Sequence, residues 1–314
     1  MQLRILFLDN NHPILIGNLR KRGYVCEEDY ESSKTEIETK ISGYDAIVIR
    51  SRFKIDKQFI EAAKKLKCIA RAGAGMENID LDFAAKKNIC CVHAPEGNRD
   101  AVGEQAIGML LALMNNICRA DKQVREGEWI REGNRGYELQ GKTVGVIGFG
   151  NMGTAFVQRL KGFDVRVLVY DKYKKGFGND WIKESSPEEI FENADVLSFH
   201  IPLTDETNYL VNEEYLSRFK KPIWLINTSR GKILETAALA KCLESGKVRG
   251  ACLDVSEYEN VSFEKIDSSK LPEPFQYLIK SDKVILTPHI AGWTFESYKK
   301  IAKVLEEKIA AVLG

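Results

Sequence analysis

Three polar residues follow apolar runs in the second half of the chain: Arg230 in Asn227-Thr-Ser-Arg-Gly231, Glu259 in Leu253-Asp-Val-Ser-Glu-Tyr-Glu259, and His289 in Leu286-Thr-Pro-His-Ile-Ala-Gly292. An arginine presents a planar fork suited to a carboxylate and a carbonyl oxygen. A histidine carries a proton near neutral pH, and a carboxylate beside it favours its imidazolium form. Together the three suit hydride transfer at a carbon next to a carboxylate. Singly, each also has an ordinary structural use, as a helix-capping arginine, a solvated glutamate or a satisfied core histidine.

A second constellation lies upstream. In the run from Thr143 to Gly153, an apolar strand leads into Gly148, Gly150 and Gly153 at G-x-G-x-x-G spacing, with Asn151 and Met152 between the last two and a helical pattern beyond. Gly148 permits the tight turn, Gly150 lets backbone approach a pyrophosphate, and Gly153 lets the helix lie close to the strand; the helix N-terminus offers N–H groups to the phosphate charge. Asp171 ends the next strand, 21 residues after Gly150, where a carboxylate binds both ribose hydroxyls of an adenosine and repels a 2′-phosphate. NAD is therefore favoured over NADP, although Lys172 and Lys174 blunt the charge argument. The plainer reading is a tight turn with a surface aspartate.

Strands and helices must position these groups. The first 95 residues alternate strand-like runs (Leu3 to Leu8, Tyr24 to Cys26, Ala46 to Ile49, Cys68 to Ala72, Ile89 to Val92) with helical spacings (Ile14 to Arg22, Thr35 to Ile41, Lys57 to Lys65, Leu81 to Lys87). This is the grammar of a parallel α/β layer. A long helical pattern starts near Asp100. From Gly141 the alternation begins afresh, with six strands expected at Thr143 to Ile147, Val165 to Tyr170, Val196 to Phe199, Ile223 to Asn227, Gly250 to Val255 and Val284 to Leu286. The last amphipathic segment, Phe295 to Leu313, has no following strand, and its pattern suits a cap on either half.

Composition narrows the function classes. With 314 residues, 44% hydrophobic, two domains are expected. A net charge of +1 gives no field to draw the chain onto nucleic acid or an anionic membrane. The longest apolar stretch, Ala106 to Met114, is about half of a bilayer span, and no signal-peptide core is evident, so a cytoplasmic protein is expected. The seven cysteines lack a C-x-x-C pair and read as reduced, buried small hydrophobes. No metal site is expected.

These segments resemble the D-isomer-specific 2-hydroxyacid dehydrogenase family over nearly the whole chain. The Asn-Thr-Ser-Arg-Gly run, the Leu-Asp-Val start followed by Glu259, and the Thr-Pro-His-Ile-x-Gly run look like its three active-site blocks. His200-Ile-Pro-Leu-Thr-Asp-Glu-Thr207 looks like its nucleotide-lining loop, and Arg71-Ala-Gly-Ala-Gly-Met-Glu-Asn-Ile-Asp80 and Ala94-Pro-Glu-Gly-Asn98 resemble its first-domain blocks. The resemblance implies an α/β fold of two doubly wound parallel-sheet domains with a cleft between them. Residues 1–98 plus 294–314 form a flavodoxin-like substrate domain, and 99–293 a Rossmann NAD-binding domain through which the chain dimerises.

Carried over residue by residue, the resemblance implies that Arg230 binds the substrate carboxylate, His289 is the general acid/base and Glu259 pairs with it. It places His200, Pro202, Thr207, Thr228, Ser229, Asp254 and Gly292 at the cofactor, with the glycine loop and Asp171. Backbone N–H groups around Gly73, Ala74 and Gly75 would hold the substrate carboxylate, with Arg50, Ser51, Asn98 and Trp293 also toward substrate. Val48-Ile-Arg50-Ser-Arg52 resembles the Arg-Ser-Arg run of phosphoglycerate dehydrogenases, which suggests that Arg50 and Arg52 bind a phosphate and that the chain serves serine biosynthesis. Glycerate, glyoxylate or lactate-type acids are the alternative. An NADH-sensing corepressor-like protein is disfavoured by the intact Arg230, Glu259 and His289 set, and a formate-oxidising relative by a carboxylate at 259, where glutamine is usual.

The sequence departs from the family at Glu77, usually Asp; at His93, commonly Asn; at Asn260, usually Pro; and at Trp293, commonly Ser or Thr. Trp293 is expected to narrow the cleft, and the insertion-like stretch 260–276 to reshape the region after Glu259. The chain ends soon after its last helix, so a C-terminal regulatory domain is not expected.

Overall fold

Short apolar runs form the strands of two parallel sheets in a computed structural model that describes residues 2–259 and 271–314. In the first half, β1 (Arg4–Phe7), α1 (Pro13–Lys21), β2 (Val25–Glu28), α2 (Lys34–Lys40), β3 (Ala46–Ile49), α3 (Lys57–Ala62), β4 (Cys68–Arg71), α4 (Leu81–Lys86) and β5 (Cys90–His93) alternate before the long α5 (Pro95–Met114). The strand order is β2-β1-β3-β4-β5, all parallel. Helices cover both faces, so β3 is apolar and buried at all four positions. Along β1 the period of two sorts side chains: Ile5 and Phe7 enter one apolar layer, Leu6 and Leu8 the other.

The second half comprises α6 (Ile117–Arg125), β6 (Thr143–Ile147), α7 (Asn151–Arg159), β7 (Arg166–Tyr170), β8 (Ile182–Glu184), α8 (Pro187–Asn193), β9 (Val196–Phe199), α9 (Glu213–Ser217), β10 (Ile223–Asn227), α10 (Thr236–Glu244), β11 (Val248–Leu253), α11 (Glu273–Lys280) and β12 (Val284–Leu286). Its sheet has seven parallel strands in the order β12-β11-β10-β9-β6-β7-β8, which corrects the expected six. The added β8 has three residues, only one of them apolar, because it pairs only with β7 at the sheet edge. The sequence also gave no separate sign of α6, which buries none of its residues.

The final α12 (Phe295–Leu313) returns to the first sheet. Ala302, Leu305 and Ile309 pack in the layer that holds Leu15 and Leu19 of α1. The approach to α5 needs glycine, since a Cβ at Gly97 would lie 2.6 Å from the Ile301 backbone nitrogen. The chain divides into a first unit, Met1–Arg99 with Trp293–Gly314, and a second, Asp100–Gly292. Trp293, assigned by sequence to the second segment, thus groups with the first.

Asn260 and most of the 260–276 stretch lie outside the described residues. The cysteine expectation needs correction: Cys26, Cys68, Cys242 and Cys252 are buried, but Cys90 and Cys118 are exposed. The apolar neighbours of Cys90 lie on the other face of its edge strand, and α6, which carries Cys118, has no buried side. Among the described residues, no helix is long and apolar enough to cross a membrane.

Candidate active site

In the second sheet β6 pairs with both β7 and β9, so the chain direction of the crossovers reverses there, and the carboxyl ends of β6 and β9 open a crevice suited to a ligand. The glycine loop leaves β6 at this point. Gly148 has φ +95°, and a Cβ on it would lie 2.4 Å from the His200 carbonyl oxygen; one on Gly153 would lie 2.0 Å from the Gly148 oxygen. A Cβ at Gly150, which caps α7 without a side-chain bond, would meet nothing within 4 Å. The first two glycine-spaced positions and the helix start at Asn151 and Met152 therefore form a tight turn with open space over its middle glycine.

Asp171 follows β7 and holds this loop. Its Oδ2 accepts from Phe149 N at 2.7 Å, and its Oδ1 from Tyr173 N and Lys174 N, both at 2.9 Å. Burial works against the charge, but the three backbone donors outweigh it and keep the carboxyl below its usual range. Lys174 donates to the Phe149 carbonyl at 2.8 Å, and Lys172 pairs with Glu206. Both ammonium groups are thus engaged locally, which restores much of the charge argument that they blunt in the sequence.

The other expected cofactor positions divide by what their side chains do. Thr228 has a buried Oγ1 with no hydrogen-bond partner among the described residues, whereas the Ser229 hydroxyl donates to Phe199 O. Thr207 donates to Pro202 O at 2.7 Å and closes the loop after His200. His200 bonds Ser198 Oγ through Nε2 at 2.8 Å and packs on Phe156; burial pushes its pKa down to about 3, so the ring stays neutral.

His289 follows β12, and its Nδ1 lies 3.2 Å from Glu259 Oε2, with both side chains about three-quarters covered. Asp254, at the end of β11 and 1% exposed, fixes the loop that carries the histidine. Its Oδ1 accepts from the Thr287 hydroxyl and from Ile290 N at 2.9 Å, its Oδ2 from Ala291 N at 2.8 Å, and its carbonyl from His289 N at 2.8 Å. These bonds hold His289 at φ +56°, a left-handed conformation that costs about 1–2 kcal/mol for a residue with a Cβ. Burial raises the Asp254 pKa, partly offset by those donors and by His289. Gly292 closes the same segment.

Arg230 follows β10. Its Nη1 donates to Ser229 O at 2.6 Å, and its carbonyl accepts from Asn227 Nδ2 at 3.0 Å. Sequence reasoning passed over Gly231, where a Cβ would lie 1.9 Å from Ser256 O; the absent side chain lets the segment leading to Glu259 pass against the arginine turn. The signal was present as a glycine directly after the arginine. Glu257, the other carboxylate near 259, is committed to Tyr209 OH at 2.9 Å and Thr236 N at 3.0 Å.

In the first unit, Arg50 and Ser51 follow β3, and the Gly73–Gly75 turn follows its neighbour β4. Gly73 N donates to Arg71 O, and His93 Nδ1 lies 2.5 Å from Ala74 O. Asn98, in the first turn of α5, has a buried Oδ1 without a hydrogen-bond partner among the described residues. Arg52 departs from expectation: its guanidinium donates to the carbonyls of Leu8, Asp29 and Ser32 and so ties loops together. Trp293 stacks on Arg50, with the guanidinium carbon 4.0 Å from the ring centroid.

A glycine-loop switch point, a histidine beside a carboxylate, and an arginine after β10 are features that a dinucleotide-binding fold can bring together. Residues 107–291 match the family described as D-isomer specific 2-hydroxyacid dehydrogenase, NAD binding domain, and the chain belongs to that family. It is 37% identical over 309 residues to D-3-phosphoglycerate dehydrogenase of Archaeoglobus fulgidus, covering 98% of this chain but 56% of that protein. Glyoxylate reductase of Thermofilum pendens is 38% identical over 293 residues, 91% of this chain and 83% of the relative. The D-lactate dehydrogenase of Aquifex aeolicus, solved with NAD and lactic acid, superimposes with a TM-score of 0.82 at 27% identity, over 98% of this chain and 94% of that one. The chain therefore spans little more than half the length of the phosphoglycerate dehydrogenase it matches.

The central role of Asp254 is testable. In Asp254→Asn the amide N–H groups face donors, so the bonds to Thr287, Ile290 and Ala291 cannot all form. Thermal denaturation should show a loss of about 2 kcal/mol, with turnover falling more than NADH affinity. Unchanged stability and turnover would contradict this role.

Proposed function

We propose that the chain interconverts a D-2-hydroxy acid and its 2-keto acid with NAD, and that the pair it serves is 3-phosphoglycerate and phosphohydroxypyruvate. The observation that carries the chemistry is the 3.2 Å approach of Glu259 to His289 Nδ1, which leaves Nε2 as the nitrogen assigned to the substrate proton. The open space over Gly150, the orphaned Thr228 hydroxyl and the Asp171 carboxylate fit a dinucleotide. Gly148, Gly150, Asn151, Met152, Gly153 and Asp171 would hold its pyrophosphate and adenosine ribose; His200, Pro202, Thr207, Thr228, Ser229, Asp254 and Gly292 are assigned to the remainder.

When bound, NAD accepts or, in its reduced form, donates a hydride. In keto acid reduction, imidazolium His289 gives its Nε2 proton to the carbonyl oxygen, and in the reverse direction neutral His289 removes it. Glu259, at 3.2 Å from Nδ1, fixes the orientation of the ring. Arg230 binds the carboxylate and orients the carbonyl, its plane set by the bond to Ser229 O. The first-unit residues assigned to substrate are Arg50, Ser51, Gly73, Ala74, Gly75, Asn98 and Trp293; Gly73 N is already engaged with Arg71 O, so Ala74 and Gly75 are the better carboxylate donors.

The phosphate reading rests on Arg50. Among the described residues no carboxylate pairs with its half-buried guanidinium, since nearby Asp9 accepts from the backbone N–H groups of Arg50 and Arg52. A second reading, an unphosphorylated acid such as glycerate or glyoxylate, is favoured by the engagement of Arg52 on carbonyls, which leaves one arginine where the sequence suggested two. A homodimer is also proposed. Ile117 and Val124 of α6, with Trp129, Ile130 and Tyr137 beyond it, form an exposed apolar group, and Trp129 is 80% exposed. The free thiols suit a cytoplasmic setting.

Two measurements test these assignments. NADH oxidation should proceed with 2-keto acids, and His289→Ala should lose about 10²- to 10⁴-fold in turnover while still binding NADH; a variant with near-normal turnover would overturn the acid/base assignment. Sedimentation equilibrium should show a dimer that Trp129→Glu with Val124→Glu dissociates, and a wild-type monomer would contradict the apolar interface.

A further inference from the structure

The first unit holds a series of tilted and edge-on ring contacts that ends on Arg50. The Arg50 guanidinium lies 4.0 Å from the centre of the Trp293 ring. Behind the indole stands Tyr298 of α12, at 6.0 Å between centroids and 51°, and behind Tyr298 stands His12, which caps α1, at 5.5 Å and 65°. Trp293 is 56% exposed, so its size adds little to the core. Its ring instead covers one face of a guanidinium that lacks a carboxylate partner among the described residues.

Arg50 sits at a telling place in the sheet. It follows β3, and β1 pairs with both β2 and β3, so the carboxyl ends of β1 and β3 form the switch point of the first sheet, where open α/β layers take ligands. Burial lowers the Arg50 pKa and is only partly offset by Asp9 and Tyr298; the side chain is a cation held in place by ring stacking. Stacking leaves the in-plane N–H groups as the recognition edge, the geometry of two parallel bonds to an anionic group.

We propose that Trp293 is a specificity-determining positioning residue that holds the Arg50 guanidinium edge-on for the phosphate tail of the substrate. The inference rests on the phosphate reading above and adds the residue that makes one arginine sufficient. A free arginine side chain samples many rotamers and loses that freedom on binding, whereas one already stacked on an indole loses less. The effect of Trp293 therefore falls more heavily on KM for the phosphorylated substrate than on KM for the unphosphorylated one.

The test compares kcat/KM for phosphohydroxypyruvate and hydroxypyruvate in the wild type, Trp293→Ala, Trp293→Phe and Arg50→Ala. The wild-type ratio should be at least about tenfold. Arg50→Ala should bring it near one, Trp293→Ala should lower it at least about fivefold through KM for the phosphorylated substrate, and Trp293→Phe, which keeps an aromatic face, should recover most of it. A ratio lost in Arg50→Ala but kept in Trp293→Ala overturns this inference and leaves the phosphate reading standing. A wild-type ratio near one that Arg50→Ala does not change overturns the phosphate reading and the inference with it. An equal fall in kcat for both substrates in Trp293→Ala shows a general structural role and also overturns it.

Discussion

A buried carboxylate holds the loop that carries His289. Asp254 accepts four hydrogen bonds through its side chain and main chain from the segment 287–291, and a carboxyl group so deeply placed is tolerable only because each of its oxygens is satisfied. The geometry that results keeps His289 in a left-handed conformation and its Nδ1 toward Glu259. Together these bonds hold a conformation that the free chain would rarely adopt. His289, the proposed acid/base residue, is thus positioned from β11, the strand beside its own, by a carboxylate that need not touch substrate.

The same logic of close approach operates at the strand ends around it. Gly148, Gly153 and Gly231 each stand where a single Cβ would meet backbone oxygen at 2.4 Å or less, so backbone turns pack directly on one another. Asp171 then ties the glycine loop to the turn after β7 with three backbone bonds. Removing this side chain would loosen the loop as well as change the charge that a cofactor ribose meets, two effects that the sequence alone does not separate.

Much of this could be read from the sequence because parallel strands buried on both faces are mostly apolar. Ala46–Ile49, Thr143–Ile147, Val196–Phe199 and Ile223–Asn227 are buried along their length and fall where their patterns put them, as does the apolar edge strand Val284–Leu286. The edge strand β8, with one apolar residue in three, and the exposed helix α6 lack such a pattern. Among functional groups, Arg230, Glu259 and His289 stood out by residue type and by their positions after strands. The division between Arg50 and Arg52 did not: two arginines separated by Ser51 look alike until tertiary structure brings three carbonyls to Arg52 and an indole to Arg50. The hydrogen bonds of Asp254 were hidden for the same reason, because they link segments more than thirty residues apart. The approach of Glu259 to His289 stood in the sequence only as an implication of the family resemblance.

The pairing of His289 with Glu259 is the contact on which the proposed function turns, and a double-mutant cycle on kcat/KM for keto acid reduction tests it most directly. If Glu259 acts through the imidazole, Glu259→Gln lowers the rate in the wild type but adds little to the loss in His289→Ala, while all three variants still bind NADH. Losses that simply add in the double variant, or an unchanged rate in Glu259→Gln, would contradict the account.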